Sequence, residues 1–242
     1  MTASVGEDAL EIDAATGKPL AYVRGKVTFL GVDLEAGPGA LVPRRETELL
    51  GRTAIEIAGR SSAPRVVDMC CGAGNLACAI ATHVPSARVW AADLTEGCVD
   101  LTRRNTARLG LSDRVTVAQG DLFAPLEAEG LPIGSIDLIV CNPPYISTGK
   151  LAGDRAALLT HEPREAFDGG PYGLSIHQRV VKEALPYLAP GGWLLFEIGL
   201  GQDRQLRMLF ERAREYCDFE AVKDDAGYVR CVRARKAGGG AA

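Results

Sequence analysis

Val66-Val67-Asp68-Met69-Cys70-Cys71-Gly72-Ala73-Gly74 is the stretch on which the rest of the chain turns. A short β-branched apolar run is followed at once by glycines and then by a helical pattern over 73–82, as when a strand turns tightly into a helix. Glycines in such a loop let a ligand approach the backbone closely. The start of the helix adds free N–H groups and the positive end of its dipole. The same loop also serves as a plain strand-to-helix turn, and Cys70 occupies the place of the first glycine in the dinucleotide fingerprint.

Outward from this stretch the pattern repeats. Strands are expected at 87–93, 115–118, 136–141 and 193–198, with helices over 96–109, 175–188 and 202–216. Two closing strand candidates, 219–222 and 228–234, are joined by Asp224-Asp225-Ala226-Gly227. Strands alternating with helices pack as a parallel sheet with crossover connections. The expected fold is therefore α/β: a doubly wound, seven-stranded, mostly parallel Rossmann-like sheet ending in an antiparallel hairpin. Upstream, β-favouring residues alternate from Tyr22 to Leu41 around Gly31 and the Gly37-Pro38-Gly39 turn, and a helix is expected over 46–58. This small hairpin and helix, residues 21–60, are expected to form a lid on a catalytic domain at 61–236. Residues 1–20 and 237–242 read as a flexible start and a disordered tail.

With 242 residues, 47% of them hydrophobic, the chain can fill the core of one sizeable domain. A formal charge of −4 supplies no general attraction for phosphates, which argues against stable nucleic-acid binding. Seven cysteines without paired metal spacing fit a reduced cytoplasmic chain. No apolar run approaches a membrane span, and no His/Cys/carboxylate cluster has ligand spacing, so neither a membrane nor a metal is expected.

The candidate site residues fall at the carboxyl ends of the strands, where open α/β sheets keep their ligands. Asp68, Gly72 and Gly74 flank or form the first loop. Asp93 ends the second strand, where a carboxylate can accept both hydroxyls of a ribose or cap the next helix. In Gly120-Asp121-Leu122-Phe123, after the third strand, Asp121 can accept from an adenine amino group or stand solvated in a turn, and the aromatic ring can pack on a base. Together the three acidic positions outline an adenosyl site. Asn142-Pro143-Pro144-Tyr145 follows the fourth strand. A carboxamide and proline carbonyls form a rigid arc of acceptors with a flat tyrosine face beside it, suited to a planar NH2 group, though the same dipeptides are common turn punctuation. His83, His161 and His177 read as surface or helix residues rather than bases, and Glu197 has no assigned role.

With these elements in this order, the chain resembles the class I S-adenosylmethionine methyltransferases that modify planar nitrogens, and more narrowly the release-factor glutamine methyltransferases of the HemK type. The resemblance is carried by Leu41-Val42-Pro43-Arg44-Arg45-Glu46-Thr47-Glu48, by 74–81, by Asn142 to Ile146, by His161-Glu162-Pro163-Arg164-Glu165-Ala166 and by Phe196-Glu197-Ile198-Gly199. It covers roughly residues 17–233. It implies S-adenosyl-L-methionine as cofactor, held by Asp68, Gly72, Gly74, Asp93, Asp121, Leu122 and Asn142. It further implies catalysis by Asn142, Pro143 and Tyr145, with Pro144 joining them around a substrate glutamine in the Gly-Gly-Gln loop of a peptide-chain release factor. Three departures bear on the substrate: that family's helical N-terminal domain has no counterpart, Cys70 replaces a glycine, and Tyr172 stands where aspartate is usual. They leave a small-molecule amine or amide, or less favourably a nucleic-acid base, as alternative acceptors.

Overall fold

A computed structural model describes residues 11–153 and 156–238. The expected flexible start and tail lie partly outside them, at 1–10 and 239–242. Within the described part of the start, Ile12 forms an antiparallel bridge with Pro19.

The first elements are a short helix α1 (Leu20–Arg24), strands β1 (Lys26–Phe29) and β2 (Val32–Glu35), and helix α2 (Thr47–Ala58). β1 and β2 pair antiparallel. This hairpin is narrower than the expected Tyr22–Leu41 span, and Tyr22 lies in α1. It turns at Leu30-Gly31, with φ of 48° and 77°, the left-handed pair that suits a two-residue connection. Gly37-Pro38-Gly39 lies beyond β2, where Gly39 approaches the backbone of Gly97. In α2 the buried Leu50, Ala54, Ile57 and Ala58 repeat at helical spacing and form one apolar face.

The main domain then alternates: β3 (Arg65–Met69), α3 (Asn75–His83), β4 (Arg88–Asp93), α4 (Glu96–Arg108), β5 (Val115–Gln119), α5 (Ala124–Ala128), β6 (Ile136–Cys141), α6 (Thr148–Ala152), α7 (Ser175–Glu183), β7 (Leu188–Glu197), α8 (Asp203–Ala213), β8 (Tyr216–Lys223) and β9 (Val229–Lys236). The seven strands lie in the order β5-β4-β3-β6-β7-β9-β8. The five from β3 to β7 are parallel, and β9 alone runs against them. The expected mostly parallel seven-stranded sheet is thus the observed one.

Boundaries moved where glycine, proline or backbone hand intervenes. The helix expected over 175–188 ends at Glu183, before Pro186, which has no N–H to continue it. β7 starts at Leu188, which pairs with Ile136, and passes through Pro190-Gly191-Gly192 with a register shift. The helix expected to reach Tyr216 stops at Ala213, capped by left-handed Arg214. No described helix is long and apolar enough to cross a membrane.

Alternation along the strands separates two core layers. Val66, Leu138, Val140 and Leu195 share one layer with Phe29, Val32 and Leu34 of the hairpin, Leu50 of α2 and Ile80 of α3. Val67, Met69, Ile139, Leu194 and Phe196 share the other with Leu126, Val180, Leu206 and Phe210. β3 lies between β4 and β6, so the chain leaves it in opposite directions along the sheet. This switch point opens a crevice at the strands' carboxyl ends.

Candidate active site

A cleft of about 960 Å³, counting the open solvent at its mouth, occupies that crevice. Its wall brings together Gly72, Asp93, Asp121, Leu122, Asn142 and Pro144 of the expected site residues. Asp68, Gly74, Pro143 and Tyr145 are not part of the lining.

The loop after β3 is left-handed at Cys70 (φ 59°), Gly72 (57°) and Gly74 (76°). A Cβ on Gly72 would meet no atom within 4 Å, so the space above this backbone is open to a ligand. A Cβ on Gly74 would lie 2.7 Å from Thr102 Cγ2, so that glycine serves helix packing. Asp68 was expected at the cofactor. Instead it is wholly buried beneath the loop, where its Oδ2 accepts from the Ala77 N–H in the first turn of α3 at 2.9 Å. Strand alternation turns Asp68 to the α3 side together with Val66. Burial pushes its carboxyl up to about 8, with Asp93 adding to the effect.

Asp93 holds the loop in place: Oδ2 accepts from Gly72 N at 2.9 Å and Oδ1 from Thr95 N at 3.2 Å. The helix cap itself is Thr95, which leaves Asp93 facing the cavity. Asp121 is exposed and accepts from Arg179 Nη1 of α7 at 2.8 Å. Leu122, with φ 49°, turns into the cavity wall. Phe123, expected against a base, is buried and stacks on Tyr187 at 5.0 Å.

In the turn after β6, Asn142 Nδ2 donates to Thr47 Oγ1 at 3.2 Å. Asn142 Oδ1 and the Pro143 carbonyl accept no hydrogen bond from another described residue. Tyr145 donates its hydroxyl to Glu197 Oε1 at 3.2 Å. Gln202 Nε2 pins the turn by donating to the Tyr145 carbonyl at 3.0 Å. Glu197 is buried, and burial raises its carboxyl to about 7 against the lowering effects of Thr47 and Arg230. Arg230, also buried, stands 3.8 Å from Glu46.

Two segments close the cavity opposite the sheet. Leu41, Pro43, Arg44 and Thr47 come from one, and Pro163, Glu165 and Ala166 from the other. Buried Glu162 joins them, accepting from Val42 N at 2.9 Å and from Arg44 Nη2 at 2.5 Å. Of residues 21–60, then, it is the approach to α2 and its first residue that reach the cavity, while the hairpin packs in the core. Thr47 and the Arg44–Glu162 pair were missed as site elements, although both lie in runs that carry the family resemblance. Their spatial partners, 95 and 118 residues away, leave no local signal. None of the three histidines lines the cavity: His83 bonds the Leu30 carbonyl, and buried His177, its pKa lowered by burial to about 4, bonds the Glu197 carbonyl.

The family described as Methyltransferase small domain matches residues 54–170. A release factor glutamine methyltransferase of Geobacter sulfurreducens is 38% identical over 221 residues, covering 91% of this chain and 74% of that protein. A ribosomal protein uL3 glutamine methyltransferase of Bradyrhizobium diazoefficiens is 36% identical, covering 84% of this chain and 65% of that one. Among solved structures, the release-factor-specific protein-(glutamine-N5) methyltransferase of Alicyclobacillus acidocaldarius is 26% identical. It covers 84% of this chain and 99% of its own, with a TM-score of 0.50.

Proposed function

The chain belongs to the release factor glutamine methyltransferase family, and from that premise we propose that it methylates the side-chain amide nitrogen of a glutamine in the Gly-Gly-Gln loop of a peptide-chain release factor. The observation that carries this reading is the Asn142 turn: Asn142 lines the cavity with its amide held by the nitrogen end, so that Oδ1 is left as an acceptor, and the Pro143 carbonyl beside it accepts from no other described residue.

The cavity suits S-adenosylmethionine. The open space above Gly72 admits a ligand against the backbone, and Asp93 offers a carboxylate for ribose hydroxyls. Asp121 and Leu122 suit an adenine ring. Asp121 is paired with Arg179 and Arg44 with Glu162, which leaves Asp93 and Glu165 to make the lining acidic, and such a wall favours a cation. Bound there, S-adenosylmethionine supplies an electrophilic methyl group on a positively charged sulfur. Gly74 and Asp68 support the loop from behind.

An amide nitrogen is a weak nucleophile because its lone pair is delocalised into the carbonyl. Asn142 Oδ1 and the Pro143 carbonyl each accept one N–H of the acceptor amide, which orients the nitrogen and stabilises positive charge growing on it. Pro143 and Pro144 keep this arc rigid through their fixed φ. Tyr145 acts from beneath, through Glu197. The nitrogen loses one proton to solvent after transfer, so no protein base is needed.

A second reading is favoured by the uL3-directed relative: a glutamine in a ribosomal protein. Relatives named for protein glutamines favour either protein over a small-molecule amine or a nucleic-acid base. Both translation proteins act in the cytoplasm, and the seven free cysteines suit that compartment. Peptide mass spectrometry decides, after incubation of the protein and S-adenosylmethionine with unmethylated release factor or with unmethylated uL3. The expected result is one added methyl on the Gly-Gly-Gln glutamine. Methylation of uL3 alone would transfer the assignment to the second reading, and modification of neither would overturn both.

A further inference from the structure

Two loops clasp the turn that follows β6. The first, Gly169-Gly170-Pro171-Tyr172-Gly173, leads toward α7 and lies against the turn's backbone. Gly169 N donates to the Ile146 carbonyl at 2.8 Å, and a Cβ on Gly169 would lie 2.6 Å from the Pro144 carbonyl oxygen. One on Gly173 would overlap the Tyr145 carbonyl oxygen. The second loop, Gly199-Leu200-Gly201-Gln202, follows β7. A Cβ on Gly199 would lie 3.2 Å from the Tyr145 ring. Gln202 Nε2 joins all three segments, donating to the carbonyls of Tyr145 at 3.0 Å and Gly173 at 3.2 Å.

Each loop carries a large apolar side chain that the rest of the described chain leaves uncovered. Tyr172 is 85% exposed, more than any other large apolar residue described, and Leu200 is 43% exposed. Neither lines the cleft. Apolar groups held on rigid loops beside a binding site mark a surface for a partner, since covering them removes apolar area from water and costs little ordering. A tyrosine, with only two side-chain torsions to fix, suits that role. Size then decides the partner. A small amine held in the cleft reaches neither side chain, whereas a glutamine within a protein brings its flanking chain across the loops beside Asn142.

We propose that Tyr172 and Leu200 form a docking contact for the acceptor protein, gripping the segment that flanks the methylated glutamine. This rests on the reading of Asn142 as the residue that holds the acceptor amide. Glycines beside the glutamine, as in a Gly-Gly-Gln loop, present bare peptide planes on which the Tyr172 ring stacks. The contact serves protein binding alone, because it lies outside the cofactor cleft and touches no reacting atom. Tyr172 stands where aspartate is usual in the family, so the contact is this chain's own.

Tyr172→Ala combined with Leu200→Ala changes two exposed positions and leaves the core intact. With S-adenosylmethionine and the unmethylated acceptor, release factor or uL3, the double variant is expected to raise KM for that protein about tenfold or more, the scale of a lost interface anchor, and to keep kcat within about twofold. S-adenosylmethionine affinity by isothermal titration should also stay within about twofold. Tyr172→Phe, which keeps the ring, should match wild type. So should Ile133→Ala combined with Met208→Ala, which removes two exposed apolar side chains before β6 and on α8.

Binding is measured beside turnover: fluorescence anisotropy of the labelled acceptor on protein loaded with S-adenosylhomocysteine should show Kd weakened by the same factor as KM. A wild type that binds the acceptor without methylating it sinks the acceptor reading, while loss of binding in the double variant still supports the docking contact. Unchanged KM and Kd in the double variant, a control pair as impaired as that variant, or cofactor affinity lost together with the acceptor, overturns the contact. So does a wild type that binds neither release factor nor uL3, because the contact then has no protein to grip.

Discussion

Asp68 and Glu197 are carboxyl groups that burial holds far above their ordinary range, to about 8 and about 7. Between the ordinary value of 3.8 and about 8, Asp68 keeps a proton in the folded protein that it has lost in the unfolded chain. Where the folded state binds more protons, stability falls as pH rises. Asp68 therefore lowers stability progressively up to about pH 8, above which its effect is constant, and Glu197 acts in the same direction up to about 7. Thermal unfolding should accordingly give a higher Tm at pH 6 than at pH 8.5. Asp68→Asn, whose Oδ1 can still accept from Ala77 N, should narrow that difference. An undiminished difference in the variant would show that Asp68 titrates as it does in the unfolded chain. Residue types at the strand ends were legible in the sequence, but directions were not: Asp68 is buried against the first turn of α3 and Phe123 against Tyr187.

The Arg44–Glu162 pair makes two loops into one wall. Glu162 is 1% exposed at its side chain and Arg44 13%, and the pair ties the approach to α2 to the segment before the turn at Arg164–Ala166. Removing one member of a buried pair leaves the other charge without its compensation. Glu162→Gln keeps an acceptor for Val42 N and loses the ion pair, so it should cost roughly 2 kcal/mol locally. The loss should concentrate in the wall, because the sheet core does not depend on it. Hydrogen exchange should therefore accelerate at Leu41 to Arg44 and Glu162 to Ala166 while β3 and β6 stay protected. Uniform acceleration would instead mean that the pair supports the whole fold. The elements themselves were readable from periodicity, with errors at their ends: Pro186 and left-handed Arg214 shortened two helices, and Leu30-Gly31 set a tighter hairpin.

At the scale of the molecule, alternation from Val66 onward was enough to specify a doubly wound parallel sheet, because strands joined through helices have few other ways to pack. The neighbours in the sheet were not readable. β3 meets β6 across 66 intervening residues, and that pairing brings the Gly72 loop beside the Asn142 turn. Likewise Thr47 reaches Asn142 only once α2 has docked on the sheet. The fold thus places the Gly72 loop and the Asn142 turn on the two sides of one switch point, and the proposed transfer depends on that turn. Asn142→Ala, assayed with S-adenosylmethionine and unmethylated release factor, tests this most directly. Single-turnover rates should fall about a hundredfold, the scale set by loss of one oriented polar group at a reacting centre, while cofactor affinity by isothermal titration is nearly unchanged. A variant that binds cofactor normally and transfers the methyl group at the wild-type rate would contradict the account.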